Sequence, residues 1–417
     1  MAERGGKREA FVPLMENALT SGAKRIATES QSRGSHSEAP ASLRDVDAPR
    51  FWIAIVLTGL VAGLGAALLT LLFKAVQGLA WGASEPSALL EAARRAGAWR
   101  HALLLLAAGL ITGAGQLLLT RLSSGNGIDI TAAIWFRAGR LPAVRTIVSA
   151  VLSIVIVGMG ASLGREGGPK QVGAVAGDLF SSFQRLSDEQ RRLIVAIGAG
   201  AGMAAVYSVP LGGALFALEV LRGALALRLV LPALATAMIA TKTASFVVPN
   251  APVYSTPPYE ISPEVYLWAV LASPLIGLWS VAFVRAIAWA DRMRPSDWRR
   301  LIAPPLVFVI IGLLSIIFPE LLGNGQDVAE LLFTQPLAPV ALMMLLPLRP
   351  FATIASVASG APGGLFTPSL AAGALAGSAL GALLLWIRPG GEIGLFALLG
   401  AGAMLAATTR GPSPRSS

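Results

Sequence analysis

Thirteen apolar stretches follow one another between residues 51 and 407, and fewer than half combine spanning length with an unbroken run. A spanning helix needs about 20 mostly apolar residues. Six stretches meet that demand cleanly, at 51–77, 99–120, 143–162, 227–248, 265–290 and 302–318. The other seven, at 166–183, 192–206, 210–223, 337–348, 350–360, 366–387 and 393–407, are short or punctuated by glycine and proline. Lipid offers no partner to an open backbone, so such a chain folds as helices whose breaks are buried in protein. Interrupted apolar segments at matching positions of two halves are also the sequence mark of a transporter's binding site. The expected fold is an all-α polytopic membrane protein with broken and re-entrant helices.

Charge supports this and removes other classes. Only 13% of the residues are charged and 54% are hydrophobic, with a mean hydropathy of +0.67, whereas a soluble domain carries about 25% charged residues. The formal net charge of +10 is gathered in short clusters between apolar runs: Arg94-Arg95, Arg137 to Arg145, Arg185 to Arg192 and Arg292 to Arg300. Such clusters read as topology determinants and lipid contacts, not as a nucleic-acid surface. Cysteine is absent and histidine occurs only at His36 and His101. No thiolate or histidine metal site, Ser-His-Asp triad or cofactor is therefore expected. Residues 1–48 are polar, with no apolar core leading to a cleavage site, and read as a disordered cytoplasmic tail. Within them Phe11 to Leu19 is weakly amphipathic, with the reach to touch a membrane surface.

The chain repeats itself. A shift of 200 residues lays Gly160-Ala161 over Gly360-Ala361, Gly164 over Gly364, Gly173-Ala174 over Gly373-Ala374 and Ala176-Gly177 over Ala376-Gly377. These are seven identities in eighteen positions, each copy following a glycine-rich break, which favours an internal repeat over chance matches of small residues. A shift of 202 continues it, with Ala204-Ala205 and Pro210 over Ala406-Ala407 and Pro412. The expected organisation is a tail (1–48), a membrane domain (49–412) with repeats at about 51–225 and 227–412, and a short polar end (413–417). Pro210 opens a further apolar segment whereas Pro412 is followed by five polar or proline-rich residues, so the second repeat is expected to be truncated.

Three segments carry candidate chemistry. In Gly164-Arg165-Glu166-Gly167-Gly168-Pro169-Lys170 the glycines allow a break and Pro169 suits the first turn of the next helix. The exposed N–H groups and partial positive charge of that turn form an anion site. A carboxylate there can occupy the site itself, and protonation would release it. An ionisable group inside a membrane segment is functional by default. The plainer alternative is that Glu166 caps its helix and pairs with Arg165 or Lys170. In Ser124-Gly125-Asn126-Gly127-Ile128-Asp129, Asn126 suits an N-cap with Asp129 in the first turn, equally a plain capped helix or an anion-facing one. Gly360-Ala361-Pro362-Gly363-Gly364-Leu365-Phe366-Thr367-Pro368 is the repeat partner of the first, with Phe366 where Glu166 stands.

Together these segments resemble the CLC family of chloride channels and proton-coupled anion exchangers, whose GSGIP, GREGP and GxFxP here read GNGID (125–129), GREGG (164–168) and GLFTP (364–368). Gly200 to Glu219 is also similar to that family, and the resemblance runs from about residue 50 to Pro412. It implies an inverted-repeat CLC-type fold lacking the last helices of the second repeat, and a homodimer with one pathway per subunit. It places the protein in a membrane of the bacterial inner (cell) type, in contact with lipid. It implies that Glu166 gates the pathway and transfers the proton, and that a halide meets Asn126, Gly127, Arg165, Gly167, Leu365 and Phe366, through the Asn126 side chain and the N–H groups of Leu365 and Phe366.

Four departures bear on function. Asn126 replaces the family's usual serine, and Asp129 its proline. Val220 stands where many exchangers carry an inner proton-transferring glutamate, and the segment with the anion-coordinating tyrosine lies beyond residue 417. The first and third are similar to the fluoride-exporting branch, in which a strong amide donor replaces part of the water shell of a small anion. The reading is a proton-coupled halide antiporter of chloride type. Its alternatives are a fluoride/proton antiporter, a passive voltage-gated-type chloride channel and an inactive truncated product. A membrane-embedded hydrolase would need paired catalytic groups, and Glu166 has no second acid or histidine spaced to work with it.

Overall fold

The computed structural model describes residues 48–83, 85, 88–122, 129–223, 227–387 and 392–409. Two compact units divide the chain at Pro49, and the first lies almost wholly outside the described residues. The second is all helix: α1 (Ala48–Trp81), α2 (Leu89–Arg95), α3 (Ala98–Leu122), α4 (Ile130–Phe136), α5 (Ala143–Gly158), α6 (Gly167–Phe183), α7 (Asp188–Tyr207) and α8 (Pro210–Leu215). These are followed by α9 (Leu227–Ala244), α10 (Pro263–Arg292), α11 (Arg299–Ile317), α12 (Gln326–Thr334), α13 (Pro339–Ala358), α14 (Phe366–Ile387) and α15 (Ile393–Thr409). A π-helical turn, Phe216–Arg222, carries α8 onward, and a 3₁₀ turn, Pro319–Leu321, precedes α12.

Six of these helices, α1, α3, α10, α11, α13 and α14, are long and apolar enough to cross a membrane. Their apolar side chains also point outward. On α11, Ile302, Leu306, Ile310, Leu313 and Ile317 are all exposed at three- or four-residue spacing, which marks one helix face. Hydroxyls inside the apolar helices bond back to their own chain, as Thr70 does to the Ala66 carbonyl and Thr112 to that of Ala108. His101 is structural: buried against Trp81, its ring nitrogens reach Ser315 Oγ at 2.8 Å and the Ala93 carbonyl at 3.0 Å, joining α3 to α11 and α2.

Several stretches differ from the sequence expectation. α5 and α9, expected as spans, are shorter apolar helices, whereas α14, expected as short or interrupted, is long enough to cross a membrane. The apolar runs at 337–348 and 350–360 are a single helix, α13, which continues through Pro347 and Pro350. Between them Arg349 is buried, and its guanidinium donates to the carbonyls of Glu320, Leu322 and Gly323 at 3.0, 3.1 and 2.6 Å. Those bonds anchor the turn before α12.

The repeat is visible as paired hairpins. α6 packs on α7 where Gly173 and Gly198 meet, and α14 packs on α15 where Gly377 and Gly400 meet, with no room for a Cβ at any of the four. The two breaks meet each other. Gly164 and Gly364 form an antiparallel bridge, each N–H donating to the other's carbonyl at 2.7 Å. Of the pairs superposed by the shift of 200, Gly164 and Gly364 are thus brought into direct contact.

Candidate functional site

The sequence breaks helices before residues 167 and 366 because each α-segment is preceded by a run in which glycine or proline interrupts the ladder. Both helix starts point to the Gly164–Gly364 bridge. Glu166 is the N-cap residue of α6, yet its side chain makes no capping bond to that helix. It reaches across to the start of α14. Oε1 accepts from the Phe366 N–H at 2.6 Å and the Thr367 N–H at 3.4 Å. Oε2 accepts from Thr367 Oγ1 at 3.1 Å and from Tyr207 Oη at 3.2 Å. Tyr207 Oη and Thr367 Oγ1 also lie 2.7 Å apart, so either hydroxyl can turn its single proton to the other in place of Glu166.

Glu166 is 2% exposed. A buried carboxylate is tolerated only when its oxygens are satisfied. Four donors and the positive end of α14 provide that here. No ion pair joins Glu166 to Arg165 or Lys170 among the described residues. The buried Arg165 guanidinium instead lies over the rings of Phe73, 5.4 Å away, and Tyr207, 6.0 Å away. Such cation–π contacts offset part of the cost of burying an arginine.

Of the residues singled out in the sequence, Glu166, Arg165, Gly167, Leu365 and Phe366 come together. Gly167 lies against the backbone of Gly363 and Gly364, where a Cβ would not fit. The backbone donors at the start of α14 are those of Phe366 and Thr367. The Leu365 carbonyl accepts from Ser369, and its N–H is not among the bonds to Glu166. Asn126 and Gly127 lie outside the described residues. Asp129 caps α4, its Oδ1 accepting from the Ala132 N–H at 3.1 Å.

Tyr207 and Thr367 were not found from sequence. Thr367 sits inside the GLFTP motif and could have been read as a side-chain donor beside the expected N–H groups. Tyr207 is 41 residues from Glu166 and closes α7 before a left-handed Ser208, with no local motif to mark it. A further signal was available: Gly125-Asn126-Gly127-Ile128-Asp129 recurs as Gly323-Asn324-Gly325-Gln326-Asp327 before α12. In that second copy the Asn324 side chain accepts from the Gln326 N–H at 3.1 Å, and Asp327 accepts from the Leu90 N–H at 2.7 Å.

Known proteins share both the sequence and the fold. The family model described as voltage gated chloride channel matches residues 104–412. A ClcB-like chloride channel protein of Ralstonia nicotianae is 32% identical over 372 residues, covering 86% of each chain. The fold matches a slow cyanobacterial Cl⁻/H⁺ antiporter with a TM-score of 0.71, at 23% identity and over 86% of this chain and 85% of that one. It also matches a CLC-type fluoride/proton antiporter with a TM-score of 0.65, at 22% identity and over 86% of each chain. This multi-pass membrane chain belongs to the voltage gated chloride channel family.

Proposed function

We propose that the protein transports a halide anion of chloride type across the membrane, in exchange for protons, with Glu166 as gate and proton carrier. One observation carries the reading: a buried carboxylate occupies the start of the opposite broken helix, held by two N–H groups and two hydroxyls and, among the described residues, by no ion pair. Those carboxylate oxygens stand where a transported anion would stand. Four donors with no lone cationic ligand favour an ion that binds and also leaves. Protonating Glu166 removes the charge that the donors hold, so the side chain can swing out and an anion can replace it. Deprotonation in the other direction reverses the exchange. Arg165 keeps the local field positive from over its two rings, and Gly167 and Leu365 complete the described surroundings of the ion.

The same reading includes a homodimer in a bacterial inner membrane, with the outward apolar faces against lipid. Purified protein in liposomes provides the test. A chloride gradient should drive proton movement, and Glu166→Gln should uncouple it; unchanged coupling in that variant would overturn the assignment.

A passive channel is the second reading, and Val220 favours it. Val220 lines the same cavity as Glu166, where it offers a migrating proton no carboxylate. Chloride flux with no proton movement under the same gradient would select it. Fluoride in place of chloride in the external solution separates the two halide preferences.

A further inference from the structure

A second cavity lies beside the one that Glu166 lines, and hydroxyl groups join the two. The first, about 280 Å³, has Glu166 and Val220 in its wall. The second, about 730 Å³, has Tyr207, Tyr254 and residues of the segment between α9 and α10 in its wall. Met203, Phe216, Phe366 and Leu405 line both, so the side chains that the cavities share are apolar. Glu166 lines the first and not the second, and Tyr207 the second and not the first. The two residues are nonetheless in hydrogen-bond contact. They meet directly at 3.2 Å, and also through Thr367, whose Oγ1 lies 2.7 Å from Tyr207 Oη and 3.1 Å from Glu166 Oε2. The second cavity opens where Asn250, Ala251, Pro252 and Thr256 are exposed, on the irregular backbone of residues 249–262. Irregular backbone does not face lipid, so this mouth meets water.

A halide pressed among those shared apolar side chains would lose its water with no donor to replace it. A proton has another course, because hydroxyls pass it on by exchanging bonds. From the reading of Glu166 as gate and proton carrier, we infer that Tyr207 and Thr367 form the proton relay that loads and unloads its carboxylate from the second cavity. The step balances atom for atom. Thr367 Oγ1 gives its proton to Glu166 Oε2, and Tyr207 Oη gives its own to Thr367 Oγ1. A hydronium ion in the cavity water restores the proton of Tyr207 and is left as water. Each hydroxyl ends neutral with one proton, and Glu166 ends as the carboxylic acid; the reverse sequence unloads it. The charged and titratable groups facing Tyr207 are Glu166, Arg165 and Tyr254. The Arg165 guanidinium, 6.0 Å from the Tyr207 ring, opposes any excess positive charge on the phenol, which favours passing the proton in one concerted movement.

The full-length protein in liposomes tests the relay, with chloride flux and proton movement followed together over a range of pH and chloride concentration. Tyr207→Phe keeps the ring and deletes the hydroxyl. The maximal rate of coupled exchange should fall by about a hundredfold, the low end of what a positioned acid–base group contributes, with the half-saturating chloride concentration nearly unchanged. Thr367→Val should fall likewise, while Thr367→Ser, which keeps a hydroxyl, should stay near the unmodified rate. Hydroxyls that only position Glu166 would shift the pH midpoint and leave the maximal rate intact. That result in Tyr207→Phe and Thr367→Val overturns the relay, as does Thr367→Ser failing like Thr367→Val. If Tyr207→Phe does not fold, the contrast between Thr367→Val and Thr367→Ser carries the same decision. Unmodified protein that moves chloride without protons, or Glu166→Gln that stays coupled, overturns the gate reading instead, and the relay with it.

Discussion

The two broken hairpins, α5–α6 and α13–α14, have nearly the same backbone and opposite chemistry. Each helix before the break ends in a glycine with a left-handed φ, +110° at Gly160 and +90° at Gly360. Each is closed by matching bonds, Gly160 N–H to the Val157 carbonyl at 3.0 Å and Gly360 N–H to that of Val357 at 2.9 Å. Six residues past those glycines the copies carry side chains of opposite character: Glu166 in the first, Phe366 in the second. The first hairpin contributes a charge and leaves its own helix start without a side-chain cap. The second contributes the helix start that the charge occupies. The two helix starts face each other across the Gly164–Gly364 bridge, and the Glu166 side chain of one occupies the start of the other.

The largest effect is expected at that difference. Glu166→Gln removes the occupant's charge while keeping its shape, so chloride-driven proton movement in vesicles should vanish and chloride flux should lose its dependence on pH. Flux that still rises on acidification would mean that the titrating group lies elsewhere.

A smaller effect is expected at the point where the copies touch. A Cβ at Gly164 or Gly364 would fall on the Glu166 carboxylate. Gly364→Ala should therefore unseat the carboxylate without deleting it. Losing one charge-assisted hydrogen bond, worth about 1.5–3 kcal/mol, corresponds to roughly tenfold to hundredfold more chloride flux at neutral pH. Liposome flux at neutral pH checks this, and equal flux in Gly364→Ala and the unmodified protein would contradict the close approach seen here.

Thr367→Val and Tyr207→Phe each delete one hydroxyl donor. The donors favour the charged carboxylate and do less for the protonated one, so losing one makes protonation easier. The midpoint of acid-activated flux should move to higher pH, by about one unit for a bond of about 1.5 kcal/mol. A midpoint that moves down, or not at all, would show that these hydroxyls serve packing only. Smallest is the pair of related acids ahead of α4 and α12. Asp129→Ala should destabilise by about 0.5–2 kcal/mol through loss of an exposed cap, read as a lower melting temperature. Asp327→Ala should lower it further, because its bond to the Leu90 N–H is less exposed to water that could replace it.

Much of this was legible in the chain itself. The six expected spans fall on α1, α3, α5, α9, α10 and α11, because hydropathy over about 20 residues is a local property. Of these, only α1, α3, α10 and α11 are long and apolar enough to cross a membrane. The shift of 200 lays Gly164 over Gly364, and these two pair because neither carries a side chain to keep the backbones apart. The continuity of α13 was not legible: two prolines suggested a break, and the carbonyls that hold Arg349 in place come from residues 320–323. The seven-residue helix α4 and the nine-residue helix α12 were likewise too short to stand out from their flanks.

The sequence by itself determined that this chain is a helical membrane protein, and it singled out Glu166 as the acidic residue of the 164–168 break. Composition, periodicity and repeat register are readable along one dimension. Only the tertiary structure decided where the Glu166 carboxylate rests and which groups hold it. Its partners at 207, 366 and 367 are brought within hydrogen-bond reach by the pairing of the two copies. A helix start attracts an anion through its own backbone, but which anion arrives there depends on what the rest of the fold brings near.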